Sequence, residues 1–314
     1  MISEKEYKEE KEELRKRYRE EQFYRQSIIL INDFSNEVLG GEIDRLKTYC
    51  FENLKGDFKY SYPNIEQIHN WRFDCDDTKL ARAIYCVIWG YIFGLKADNI
   101  GPPYSKKTKQ HYRGDTINSF QTLFGSYEKE IFAYRARFYD LDKDIKTWSN
   151  IIKFRYQYHT IGNFILLQNN KSDRLRINNG RGKCKLKDYF DLFLLDVYEY
   201  QKGNACILKK QLEQNSFYKE FSINSIREIF FLDIYFNDKE PKEFINISKD
   251  KRLKETGSKE YRKKNENKCF SEKEYKKLVN DYIEKSEEVI AKRSCKMVEM
   301  LKEEIKEAKK IGIL

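Results

Sequence analysis

Proline is scarce in this chain, with four residues in 314, and only three histidines and fourteen glycines accompany them. So few breakers exclude a collagen-like or Pro/Gly-rich low-complexity protein, and three histidines exclude a His-rich metal tract. The seven cysteines (Cys50, Cys75, Cys86, Cys184, Cys206, Cys269 and Cys295) are odd in number and none forms a CxxC pair. That pattern argues against a disulfide framework and against a zinc ribbon or knuckle, and it fits reduced thiols. No apolar run is long enough to span a bilayer, and the longest, residues 83–95, suits a buried core helix instead. The opening residues, MISEKEYKEEKEELRKRYREE, form a charged helical pattern rather than a signal peptide. A cytoplasmic protein is expected. There is no GxxxxGK[ST] phosphate loop, GxGxxG fingerprint, GxSxG elbow or internal repeat.

Apolar and charged residues are plentiful. A hydrophobic fraction of 40% with 15% aromatics is enough for a substantial core. Sixty-one Lys and Arg against 51 Asp and Glu give a net charge of +10, which suits a polyanionic partner such as nucleic acid. An AT-rich coding bias produces the same Lys-, Asn- and Ile-rich composition, so charge alone names no partner.

The patterning predicts a mainly α protein, α+β with a few short strands. A single helical domain over 27–245 is flanked by a charged N-terminal helix (1–26), a basic linker (246–270) and an amphipathic C-terminal helix (271–314). Apolar residues from Ser27 to Leu39 are broken by Gly40-Gly41, and a short helix is expected over 42–54. The aromatic alternation of 57–63 predicts a strand. Asp77-Thr78 is a plausible N-cap for a helix to about Leu95, apolar on nearly every face and so central to the fold. Helices are also expected over 116–124, 144–158 and 187–201, and 217–236 reads as helical. Ser271 with Glu274 forms a capping box for the last helix. Its apolar stripe is Val279, Ile283, Ile290, Met297, Leu301, Ile305 and Ala308, with Ser286 and Ser294 filling gaps. Such a stripe docks on the body, on a protein partner or on a second copy.

Polar chemistry is most concentrated between His159 and Leu195. Residues 161–167 read as a strand, and an Asn/Gly/Arg/Lys loop then leads into an aromatic helix. In that loop Asn178, Asn179, Gly180, Arg181 and Gly182 can surround an anion with backbone N–H groups and a guanidinium. Lys183, Lys185 and Lys187 add point charge, and the following helix start favours an anion through its dipole. Lys106, Lys107 and Arg113, in a second basic loop over 104–116, complete a proposed cleft for nucleic acid or a phosphorylated ligand. The competing reading is a surface turn with solvated cations.

The segments TIGNFILL, INNGRG and DYFDL, within about 114–233, resemble an uncharacterised bacterial family for which no activity is established. His159-x-Ile161-Gly162-Asn163, with Leu166-Leu167 and a later Asn178, also resembles the last part of HNH-type nuclease domains of modification-dependent restriction enzymes. That likeness implies His159 and Asn163 as catalytic candidates, Mg²⁺ or Mn²⁺ as cofactor, and a phage-defence or toxin-like setting. The chain departs from the pattern because it lacks the upstream His-x-x-Pro that supplies the general base. No cofactor is otherwise indicated. Tyr112-Arg113-Gly114 resembles the opening strand of Arg-Ser-Glu ADP-ribosyltransferases. However, Glu128-Lys129-Glu130 follows too soon, and Asp115 or Thr116 reads better as a helix N-cap. His69 and His159 each read more readily as packed residues than as ligands. The acidic runs at 74–77, 140–144 and 188/191 match no EF-hand spacing.

Overall fold

The computed structural model describes residues 22–61, 75–95, 113–117, 145–166, 190–244 (except 216) and 272–314, with a few helical positions before residue 16. Of these described residues 69% are helical and 5% lie in strands, so the protein is mainly α with a few short strands. In chain order the principal elements are α1 (Gln22–Glu37), α2 (Lys79–Tyr85), β1 (Arg113–Asp115), α3 (Ile145–Tyr158), β2 (Phe164–Leu166), α4 (Phe190–Gln201), α5 (Ile223–Ile229), β3 (Phe236–Asn237), β4 (Glu240–Pro241) and α6 (Glu272–Lys310). Strand β1 pairs antiparallel with β2, and β3 with β4. No helix among the described residues is long and apolar enough to cross a membrane.

Helix α2 is the buried centre. Thr78 caps it, its hydroxyl accepting from Ala81 N–H at 3.2 Å. The helix then widens into π-helical turns over Cys86–Ile92, and Gly94, at φ 65°, lets the chain turn away. Trp89, fully buried, donates its indole N–H to the Ile229 carbonyl at 2.9 Å, so the C-terminal end of α5 gains a partner and the indole keeps its hydrogen bond.

The apolar stripe of α6 packs on the chain's own body. Ile283, Ile290, Met297, Leu301, Ile305 and Ala308 are all buried, while the Val279 side chain lies outside those described. Tyr24 of α1 donates to Glu304 at 3.2 Å, Lys153 of α3 pairs with Glu287, and the Asn150 amide donates to Asn280 at 3.1 Å. Ser286 avoids a buried unpaired hydroxyl by donating to the Tyr282 carbonyl one turn back, at 2.6 Å. The predicted final helix is therefore a wall of the core.

Three local expectations are corrected. Residues 57–61 form turns in place of a strand. Asp57 accepts from the backbone of Tyr60 and Ser61 and, through its carboxylate, from Lys59 N–H, while Tyr60 tucks beneath Phe34. The predicted helix at 42–54 is two short 3₁₀ segments, Ile43–Lys47 and Phe51–Leu54. The block 217–236 breaks into short helices at Phe217–Glu220 and Ile223–Ile229 and a 3₁₀ turn at Asp233–Tyr235. Ser222 caps the middle one by accepting from Ser225 N–H, and the Gln201 side chain ties its start to α4.

Candidate functional site

The strand expected over 161–167 is shorter than its apolar run. Ile161–Asn163 is a 3₁₀ turn, and β2 begins at Phe164. Asn163 sets this boundary, because its side chain folds back and is fully buried. Its Oδ1 accepts from Ile117 N–H at 2.7 Å and from the Thr116 hydroxyl at 3.2 Å. Its Nδ2 donates to the carbonyls of Tyr158 at 3.0 Å and Ile117 at 3.4 Å. All four hydrogen-bonding valences of the amide are spent inside the protein, so Asn163 joins the chain after β1 to the end of α3.

Gly162 is held by space. Its φ is not positive, yet a Cβ there would sit 2.9 Å from the carbonyl carbon of Ile290 and nearer still to the Ile290 oxygen and Ser294 Oγ. The turn thus lies directly against the backbone of α6. From the same face of α6, Arg293 sends a fully buried guanidinium into the turn. Nη2 donates to the Phe164 carbonyl at 2.8 Å, Nε to the Phe230 carbonyl at 3.1 Å, and Nη1 to the Gly162 carbonyl and to the Thr116 hydroxyl at 3.4 Å. Burial pushes its pKa down to about 10, opposed by Tyr235, Tyr85 and Asp115, so it remains a cation at neutral pH.

Beside this turn lie two side-chain pairs. Tyr158 donates to Asp115 Oδ2 at 2.7 Å, and burial, followed by the neighbouring Asp115 charge, drives the phenol well above its usual pKa. His159 Nε2 stands 3.2 Å from Glu52 Oε1, the two side chains being 25% and 32% exposed, which leaves the imidazole within reach of solvent. The two rings meet edge to face at 4.9 Å. His159 and Asn163, joined in one reading of the sequence, serve different ends here: one faces Glu52 near the surface, the other is sealed in the core.

No family model, curated sequence or solved structure matches this chain.

Asn178, Asn179, Arg181, Lys183, Lys185, Lys187, Lys106 and Lys107 lie outside the described residues, as do His69, His111 and the acidic run at 140–144. Arg113 is described in its backbone only, at the start of β1. Among the described residues no group of three or more His, Cys, Asp or Glu is arranged to hold a metal ion. Asp191, from the acidic pair of the aromatic helix, accepts from its neighbour Leu192 N–H and from Phe244 N–H at 3.1 Å. Cys75 and Asp76 are buried in a 3₁₀ turn. Sequence reasoning missed Glu52, Tyr158 and Arg293. Arg293 had one available signal, an arginine standing one turn before Met297 on the apolar stripe of an otherwise amphipathic helix.

Proposed function

We propose that this protein binds nucleic acid, or another phosphate-bearing ligand, in a basic cleft rooted on the β1–β2 ladder. The observation that carries the reading is the strand register, in which Arg113 pairs with Leu166. The chain therefore enters β1 and leaves β2 at the same end of the ladder, at Cα atoms about 5 Å apart. Before Arg113 the sequence supplies Lys106 and Lys107. After Leu166 it supplies Asn178, Asn179, Arg181, Lys183, Lys185 and Lys187. The second stretch rejoins the core at Phe190, whose ring meets Tyr235 at 5.6 Å, and the Tyr235 hydroxyl donates to the Thr116 carbonyl at 3.4 Å. Two basic segments tethered at paired residues hold a high effective concentration of each other, which favours one anion site over two separate solvated loops. Such binding suits the phage-defence or toxin-like setting implied by the nuclease-like fragment.

Anisotropy titrations of labelled single-stranded RNA, single-stranded DNA and duplex DNA across a salt series test this. Binding should weaken steeply with salt. The double change Arg181→Ala and Lys183→Ala should weaken it roughly tenfold or more and lower the duplex salt slope by about 1.8. An unchanged slope would end the proposal.

A second reading, a metal-dependent nuclease, is favoured by the part-exposed His159–Glu52 pair, an imidazole oriented by a carboxylate. Adding Mg²⁺ or Mn²⁺ to the same probes separates the two. Degradation abolished both by EDTA and by His159→Ala would replace binding with cleavage, and an intact probe keeps the binding reading.

A further inference from the structure

A cavity of about 360 Å³ lies between α6 and the turn that follows α5. Phe231 and Ile234 wall it from the turn, and Ala291, Lys292, Cys295 and Lys296 from one face of the helix. Its volume is at the low end of what small-molecule sites occupy. None of these residues belongs to the basic segments or to the His159–Glu52 pair, so the site stands apart from both readings above.

The turn closes α5 in an unusual way. Leu232 N–H donates to the Arg227 carbonyl at 2.9 Å, and Phe231 N–H to the Glu228 carbonyl at 3.3 Å. This closure puts Phe231 in the left-handed region, at φ 57°, where glycine is the usual occupant because a Cβ is disfavoured there. Glycine would end the helix with less strain. What phenylalanine adds is a ring, part-buried against Phe93 with centroids 5.6 Å apart, that lines the cavity.

The charges suit an anion. The lining carboxylate, Asp233, is held by Arg227 at 2.6 Å and so is already neutralised. Lys292 and Lys296 remain at the rim. Lys292 also meets Glu288 at 2.8 Å, and Lys296 stands 4.0 Å from Glu299. Both contacts lie on open surface, where an ion pair is worth little and a competing anion displaces it readily.

We propose that this cavity binds a small monocarboxylate with an apolar tail. The tail lies against Phe231, Ile234 and Ala291, and the carboxylate between Lys292 and Lys296. Cys295, exposed in the same lining, is covered when the site is filled.

That thiol supplies the readout. The full-length protein is alkylated with iodoacetamide, and Cys295 is followed by peptide mass spectrometry against Cys206, a part-exposed cysteine outside the cavity. Octanoate is the probe, with octanol supplying the tail alone and acetate the charge alone. Octanoate is expected to slow Cys295 about fivefold or more, with half the effect at roughly 0.1–1 mM, an ordinary affinity for a molecule of about ten non-hydrogen atoms. Cys206 should react at an unchanged rate. Octanol should need about tenfold more, the loss of one favourable charge contact, and acetate should give no protection. Lys292→Gln with Lys296→Gln should erase the advantage of octanoate over octanol. Phe231→Gly should abolish protection yet keep Tm near that of the wild type, because relief of the left-handed backbone offsets the lost ring contact. Should that variant not fold, Ala291→Phe decides: it stands at an exposed helical position, fills the cavity and should also abolish protection. The proposal is overturned if octanoate at roughly 10 mM leaves Cys295 alkylation unchanged or slows Cys206 equally. Protection that survives Ala291→Phe, or octanol matching octanoate on the wild type, overturns it as well.

Discussion

Replacing Gly162 with alanine is expected to destabilise the protein by about 3 kcal/mol or more, because the new methyl group meets backbone that has nowhere to go. The added Cβ would fall 2.9 Å from the Ile290 carbonyl carbon and closer still to the Ile290 oxygen and Ser294 Oγ. Two of those atoms belong to the main chain of a 39-residue helix, so relief requires moving α6 as a body. That movement also draws Arg293 away from the Gly162 and Phe164 carbonyls. For a chain of this size the loss corresponds to a fall in Tm of roughly 4–5 °C or more. Gly203 provides the contrast, with a φ of +79° and nothing within 4 Å of its position. Alanine there costs about 1 kcal/mol of backbone conformational energy and no packing. Thermal denaturation of both variants checks the comparison. Equal, small shifts would mean that α6 does not lie against the turn as described.

Truncating Asn163 to alanine is expected to cost about 3 kcal/mol, even though the sequence marks this residue as a catalytic candidate. The change strips partners from Ile117 N–H, the Thr116 hydroxyl and the Tyr158 carbonyl, all beside a side chain with no solvent exposure. Leaving buried donors and acceptors without partners costs more than the bonds themselves were worth, roughly 1–3 kcal/mol for each group that finds no substitute. Urea denaturation followed by tryptophan fluorescence measures the loss, with Trp89 reporting from the core. A variant with wild-type stability and a lost nucleic-acid activity would return Asn163 to a chemical role and remove the structural one argued here.

Elements whose apolar pattern is long and unambiguous were legible from residues alone. Helix α3 falls where spacing puts it, and of the expected Asp77-Thr78 cap it is Thr78 that caps α2. The α6 stripe from Ile283 to Ala308 is buried as its periodicity demands. Legibility failed where a single polar side chain overrides an apolar run. Ile161 to Leu167 looks like uninterrupted strand, yet the Asn163 amide finds four partners by folding inward and bends the first three residues into a 3₁₀ turn. At 57–61, the aromatic alternation was outweighed by an Asp57 turn and by the burial of Tyr60 against Phe34. The basic residues at 106–107 and 178–187 were legible as composition, while the pairing of Arg113 with Leu166, from which the proposal starts, was not.

Sequence by itself determined the class of this protein: mainly helical, rich in aromatic core residues, carrying excess positive charge and a long amphipathic C-terminal helix. Those properties follow from local periodicity and composition, which act over a few residues and need no partner. Only the tertiary structure decided that the final helix is a wall of the core, that Gly162 must be bare, and that Arg293 belongs to the ladder 129 residues upstream at Phe164. These depend on which backbone atoms meet across more than a hundred residues of chain. No pattern of spacing encodes that, because the acceptors Arg293 satisfies are carbonyl oxygens, which every residue possesses.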